Sequence, residues 1–281
     1  MIILLAYLFY FVAASASPLQ RRWLATKRDG GGQIAFAFQT MAIVAIFGLG
    51  LLFFFPFAIT GSVARLIALA FVAGFCGAGF FVFSYSAQKH VDAGLTTLLM
   101  NVYTPVTIII ATIFLHEGLR PLQIIGALLL FISILLISKK HRLGRFRFDK
   151  YFWMMLFSGV LLGVALSAER ALMKTTGFAA GTLISWWAQA ISLGVAALIF
   201  KSHTTYTVRE SVITGALKFL QALSWVLLLL VIGNLSVVSA VTTFKVVVIF
   251  VAAALLLNER DDLPRKIFGS VVALAGLLLM K

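Results

Sequence analysis

The sequence predicts an all-α membrane protein of ten transmembrane helices, arranged as two inverted five-helix repeats. Three observations predict it. Hydrophobic residues make up 62% of the 281 and charged residues only 11%, against roughly 45–50% and about 25% in soluble domains. Apolar runs long enough to cross a hydrocarbon core, which takes about 20 residues as a helix, follow one another with short polar pieces between them. A segment from the middle of the chain returns near its end. Because lipid leaves backbone polar groups unsatisfied, runs this long and apolar all round must be helices.

The runs place helices at 2–18, 33–56, 64–87, 93–115, 121–138, 151–172, 178–200, 210–231, 235–257 and 264–281. The first ends in Ala14-Ser15-Ala16-Ser17, a pattern that resembles a signal-peptide cleavage site. No basic residue precedes it, and Arg21, Arg22, Lys27 and Arg28 follow. A signal peptide carries its charge the other way round, so a retained first helix is expected. The halves are residues 1–138 and 151–281, joined by the basic linker 139–150, which suits a cytoplasmic surface near anionic lipid.

Net charge is +14, but the basic residues sit in short segments between apolar runs. Retention on the cytoplasmic side explains that placement, and no nucleic-acid partner is expected. Counted with the helix ends that flank them, the segments after helices 1, 3, 5, 7 and 9 hold 16 of the 23 Lys and Arg, and the opposite side holds four. The other three, Arg170, Lys218 and Lys245, fall within helices. The positive-inside rule then puts the odd-numbered loops in the cytoplasm and both termini outside, in a cell inner (plasma) membrane. Cys76 is the single cysteine, so no intrachain disulfide forms. There is no zinc spacing, nucleotide-binding loop or nucleophile elbow, and no catalytic residue, metal or cofactor is expected. The sequence assigns no oligomeric state.

The internal repeat is the most informative feature. Tyr103-Thr104-Pro105-Val106 through Leu115-His116-Glu117 matches Lys245-Val246-Val247-Val248 through Leu257-Asn258-Glu259. After a one-residue gap, Ile124-Ile125-Gly126 matches Ile267-Phe268-Gly269. Each copy is a long helix ending in Glu, a turn with a proline (Pro121, Pro264), and a Gly-containing helix. The glutamate is expected to complement the positive N-terminus of the next helix, whose first turn the proline suits. An odd number of helices per repeat turns the second half upside down. Carriers built this way place their substrate near the midplane between the halves.

Ionisable residues within a membrane helix are costly, and they point to function. Lys218 and Lys245 lie near mid-depth, where an anionic substrate group such as a carboxylate or phosphate would compensate them; the bland alternative is a lysine that snorkels to the interface. At helical spacing Ser211, Thr214, Lys218, Gln221 and Trp225 share one face, which is expected to line a cavity. Thr97, Asn101 and Thr104 form a similar stripe, and the repeat maps the first two onto Ser239 and Thr243. Lys245 lies about 120° from the centre of that stripe, at roughly 100° per residue. Ser84 and Gln88 are placed at the cavity with Gly77 and Phe81. Thr182, Ser185, Trp186 and Gln189 make a further polar face, read equally well as a cavity wall or as interface anchors. Glu169 and Arg170, near the outer end of helix 6, are candidates for a gate or an ion-coupling site, with interfacial charges as the alternative. Gly159-x-x-x-Gly163 and Gly177-x-x-x-Gly181 are read as intramolecular packing sites.

Pro105 within the fourth helix, the Leu115-x-Glu117 ending, the Gly126 helix and the second copies Leu257-x-Glu259 and Gly269 resemble the EamA type of the drug/metabolite transporter superfamily. The resemblance covers nearly the whole chain in length and helix count, and is clear in sequence over about 91–138 and 233–281. It implies ten helices, alternating access and a central cavity lined mainly by helices 1, 3, 4, 6, 8 and 9. Two departures stand out. Members usually keep both termini in the cytoplasm and carry basic residues after helix 2, where this chain carries them after helix 1. Phosphate-sugar carriers of the same superfamily have a Lys-Arg pair in the ninth helix, whereas Lys245 is followed by Val246.

The leading expectation is a secondary transporter of a small organic metabolite working within the lipid bilayer. Nothing resembles an ATP-binding module, so an ion gradient, exchange or the substrate's own gradient would drive it. One alternative is a flippase for a lipid or lipid-linked head group. Another is a membrane-embedded enzyme, against which stand the four histidines, all near helix ends or loops, and the scarcity of carboxylates within helices.

Overall fold

The computed structural model describes residues 2–27, 32–87, 90, 99–138, 149–245, 247–248 and 263–280. Among them it contains ten α-helices and no strand. They are α1 (Ile2–Lys27), α2 (Gln33–Gly48), α3 (Val63–Ala87), α4 (Tyr103–Leu115), α5 (Pro121–Ser138), α6 (Lys150–Thr176), α7 (Phe178–Ile199), α8 (Val208–Ile232), α9 (Leu235–Thr242) and α10 (Leu263–Leu279). Among the described residues, five spans are long and apolar enough to cross a membrane: Gln33–Phe53, Val63–Ala87, Lys150–Thr176, Phe178–Ile199 and Val208–Ile232. The outer surface is apolar, with Phe53, Phe54 and Leu198 largely exposed, while serines and threonines are buried inside. That is the reverse of a soluble protein, and a hydrocarbon solvent accounts for it.

Several boundaries differ from the sequence expectation. α1 continues through Pro18 to Lys27 instead of ending near residue 18. Its second half is held by tertiary contacts: Leu24 is buried, Gln20 bonds Thr214 of α8 at 3.1 Å, and Arg21 is buried among aromatic rings. Arg21 therefore leaves the tally of loop charges. α2 ends at Gly48 and tightens into a 3-10 helix over Leu49–Phe53, where Gly48 and Gly50 are poor α-helix formers. The first part of the expected fourth helix and much of the ninth fall on residues 91–98 and 249–262, outside the described residues.

Helix starts follow local chemistry. The Asp149 carboxylate accepts from the backbone N–H groups of Tyr151 and Phe152. Thr207 and Glu210 form a capping box on α8, and the Asn234 side chain accepts from Val237 N–H on α9. Gly177 and Gly233, with φ of 90° and 74°, reverse the chain into α7 and α9.

The helices pair in a regular pattern. α2 lies on α7, α4 on α9 and α5 on α10, and in addition α1 packs on α8, α3 on α6, α2 on α8 and α3 on α7. The Gly159/Gly163 face lies against α4 and the turn before it: an added Cβ would come within 3.0 Å of the Met100 carbonyl oxygen and 2.9 Å of that of Tyr103. α5 and α10 cross at Gly126 and Gly276, each so close that a Cβ would lie 2.7 or 2.8 Å from the other's carbonyl oxygen.

Backbone cannot yield as a side chain can. Gly126→Val is expected to lower the stability of the detergent-solubilised protein by about 2 kcal/mol, read as a fall in its thermal midpoint. Gly50→Ala, with nothing within 4 Å of the new methyl group, should leave the midpoint unchanged. Equal midpoints for both variants would contradict the α5–α10 crossing.

Candidate functional site

Between the halves lies a cavity of about 140 Å³. Its wall carries three ionisable side chains, Lys218 of α8, Lys245 just beyond α9 and Glu169 of α6. Around them stand Tyr10, Phe80, Phe81, Tyr103, Trp186 and Trp225, with the amides of Gln189 and Gln221.

The two lysines are held differently. The Lys245 ammonium donates to the hydroxyls of Tyr10 and Tyr103 and lies 5.1 Å from the centre of the Tyr103 ring. Tyr103 in turn shares a hydrogen bond of 2.9 Å with Thr242. Among the described residues Lys218 has one acceptor, the Gln221 Oε1 at 3.3 Å, and it sits 5.4 Å from the centre of the Phe81 ring. No described carboxylate comes within ion-pair distance of either lysine.

Glu169 is buried among polar side chains. Trp186 Nε1–H reaches it at 3.2 Å. Ser185 lies within hydrogen-bonding reach of it as well, and the Ser185 oxygen accepts from Gln189 Nε2 at 3.1 Å. Gly77 makes room for this arrangement, since a Cβ there would lie 2.5 Å from the Gln189 side chain.

α4 and α9 tighten at matching places. N–H groups of Val102 and Thr104 bond carbonyls three residues back, and so do those of Thr243 and Phe244. In the internal repeat Asn101-Val102 corresponds to Thr243-Phe244, so the irregularity falls at the same point of both copies. Lys245, about 120° round the helix from the Ser239 and Thr243 stripe at roughly 100° per residue, faces the cavity while that stripe faces α4.

The other expected site residues divide. Of the α8 stripe, Lys218, Gln221 and Trp225 reach the cavity. Ser211 and Thr214 instead bond Gln39 and Gln20, tying α8 to α2 and α1. Ser239 and Thr243 are buried in the α4–α9 seam, where Thr104 bonds the Thr243 hydroxyl at 3.0 Å, and they do not line the cavity. Asn101 is buried beside that seam, off the cavity wall. Ser84 bonds the Phe81 carbonyl in its own helix and is likewise off the wall. Two polar stripes that satisfy each other look, in sequence, like two that face a ligand. Thr97 and Gln88 lie outside the described residues. Tyr10 and Tyr103 were not among the expected residues, because a tyrosine in an apolar run gives no signal of which way its hydroxyl turns.

Glu169 and Arg170 separate completely. Arg170 faces away from the cavity and forms a bidentate pair with Glu117, its Nη2 at 2.8 Å and Nε at 2.9 Å from Oε1. Lys174 adds a contact at 3.2 Å, and Leu235 N–H donates to Oε2 at 2.7 Å. Glu117 therefore complements the N-terminus of α9, not that of the next helix α5, because the chain reversal at Gly233 brings α9 beneath it. Ser236 donates to the Glu117 carbonyl and Lys174 to that of Leu115, so three elements are tied at one end of the molecule. At another helix junction, the Arg21 guanidinium lies 4.6 and 4.4 Å from the ring centres of Phe36 and Tyr85 and donates to Tyr206.

A family model described as the EamA-like transporter family matches residues 1–139. No curated protein matches the chain. A solved structure described as "Crystal structure of protein" superposes with a TM-score of 0.71 at 14% identity, covering 98% of this chain and 94% of that one. At that identity the likeness is one of fold, and it extends over both halves.

Burial alone would raise the Glu117 carboxyl, but the Arg170 hydrogen bonds, the Leu235 N–H, the Arg170 charge and Lys174 outweigh it and hold the group below its ordinary 4.5. A lowered folded value means stability that is full above the ordinary value and lost as pH falls through the lowered one. The thermal midpoint should therefore be flat from neutral pH down to about 5 and drop below it. Glu117→Gln should start lower at neutral pH and show less of that acid drop; a wild-type acid drop retained in full would place it elsewhere.

Proposed function

From the premise that this chain, through residues 1–139, belongs to the EamA-like transporter family and so is a multi-pass membrane transporter of small molecules, we propose that it is a secondary transporter of a small anionic organic metabolite. The observation that carries this reading is the Lys218 ammonium, which faces a 140 Å³ cavity with a single amide acceptor. A cation removed from water needs a counter-charge, and a carboxylate or phosphate of the substrate supplies it. Lys245, already held by Tyr10 and Tyr103, adds positive potential and orients the wall. The volume is close to the ~150 Å³ of an engineered cavity that holds benzene, so it favours a compact metabolite over a lipid-linked head group.

The helix pairings support an inverted-repeat plan. Exchanging α1–α5 with α6–α10 leaves α2 on α7, α4 on α9 and α5 on α10, and interchanges α3 on α6 with α8 on α1 and α2 on α8 with α7 on α3. Matching irregular turns at 101–102 and 243–244 give the two halves equivalent points at which to bend, as alternating access requires. The loop charges, with Arg21 set aside, still favour odd-numbered loops in the cytoplasm and external termini in the inner (plasma) membrane.

The test is thermal unfolding of the purified protein with amino acids, phosphorylated sugars, nucleotides and lipid head groups. A ligand of the folded state stabilises it by about 2.7 kcal/mol at a hundred times its dissociation constant. A shift from anionic compounds is expected. Lys218→Ala should abolish it, and Lys245→Ala should weaken it while also lowering the unliganded midpoint. Undiminished shifts in both variants would end the anion-site reading. Silence from every soluble compound would favour the flippase alternative.

A further inference from the structure

We infer that Arg21 is the latch of a gate, closing the cavity at the end where α1 and α3 finish and α2 and α8 begin, and that Tyr206 parts from it in every transport cycle. The inference rests on the reading of the chain as a carrier and adds the point at which its cavity opens.

Four elements bring the latch to one end of the cavity. Tyr10, Met41, Phe81 and Lys218 line the cavity on α1, α2, α3 and α8. At 1.5 Å per residue, Arg21 lies about 16 Å past Tyr10, Phe36 about 7.5 Å before Met41, and Tyr85 about 6 Å past Phe81. Tyr206 precedes the first turn of α8. These displacements converge, since the Arg21 guanidinium lies over the rings of Phe36, Tyr85 and Tyr206. The Phe81 ring on the cavity wall meets that of Tyr85 edge-on at 5.5 Å, so the cage begins where the cavity ends.

The cage spans both halves of the chain. Arg21, Phe36 and Tyr85 belong to the first half and Tyr206 to the second. The Tyr206 hydroxyl accepts from Arg21 Nη1 at 3.3 Å, and its ring lies 4.3 Å from that of Phe36. The neighbouring contacts across this seam are neutral: Gln20 with Thr214 at 3.1 Å, Ser211 with Gln39 at 2.6 Å, and Ala35 N–H with Ser202 at 3.2 Å. α8 runs from here past Lys218 to Gly233, whose carbonyl accepts from Arg170. At that far end the halves are joined by the bidentate Glu117–Arg170 pair and by Lys174. Charge-assisted hydrogen bonds are about twice as strong as neutral ones, so the Arg21 seam is the one that parts from this arrangement.

Parting leaves Arg21 most of its company. Phe36 and Tyr85 move with it, and their faces continue to cover the guanidinium. Gln33, in the same half, also accepts from it. Water entering in place of Tyr206 takes over the lost hydrogen bond and reaches Nε, which has no acceptor among the described residues. An arginine keeps its charge at any working pH, so the latch responds to position and not to protonation.

Labelling of a cavity thiol tests the latch without any ligand. In a Cys76→Ser protein, Met41→Cys puts the single thiol on the cavity wall. A membrane-impermeant maleimide is added to vesicles of both orientations, with Ser202→Cys identifying the side that carries residues 201–207. Arg21→Gln is expected to speed labelling from that side at least about tenfold. Arg21→Lys, which keeps a cation over the rings without the planar fork, should fall between the two. An unchanged rate in Arg21→Gln would overturn the latch. Separately, Ala35→Cys with Ser202→Cys, again in Cys76→Ser, pins the seam when oxidised. Counterflow of a compound that stabilises the protein should stop on oxidation and return on reduction. Counterflow that persists through the cross-link would overturn the latch and leave the carrier reading standing. No counterflow in the reduced protein, with the compound bound, would overturn both. Should Arg21→Gln fail to fold, the cross-link decides alone.

Discussion

A charge carried into a hydrocarbon layer must be matched by another group, and this requirement organises the interior. Three groups within the fold are matched by protein. Arg170 takes Glu117, Lys245 takes two tyrosine hydroxyls, and Arg21 takes a cage of aromatic rings with Tyr206. Lys218 and Glu169 share a cavity wall, where Gln221 Oε1 is the described acceptor for Lys218 and Trp186 Nε1–H donates to Glu169. The groups matched within the fold hold elements together.

The matched charges also explain where the helices end. Glu117 draws the turn after α4, the end of α6 and the start of α9 to one point, and Gly233 supplies the backbone reversal that makes this geometry reachable. Arg21 keeps α1 helical well past Pro18, because its cage is built from α2, α3 and the segment before α8. Small residues do the remaining work: Gly126 with Gly276, and Gly159 with Gly163, let helix backbones touch where larger side chains would hold them apart.

Much of this was legible in the sequence. Apolar runs located the helices among the described residues. The α8 face carrying Lys218, Gln221 and Trp225 was readable because helical spacing is regular there. Three things were not. Which polar stripe meets a ligand and which meets another stripe depends on the partner helix, and Ser239 and Thr243 turned out to meet α4. Lys245 appeared off-axis because the stripe it was measured against, Ser239 and Thr243, faces α4 and not the cavity. Glu169 and Arg170 looked like a pair because they adjoin in sequence, although successive helical residues point about 100° apart and these two serve different ends of the problem.

Counterflow in liposomes tests the central claim most directly. Purified protein is reconstituted, loaded inside with an unlabelled compound that stabilises it, and presented outside with a trace of the labelled compound and no ion gradient. A carrier with a single alternating site accumulates label transiently above its external concentration, and Lys218→Ala should not. Label that never rises above the external concentration, from a compound that demonstrably binds, would contradict transport through this cavity.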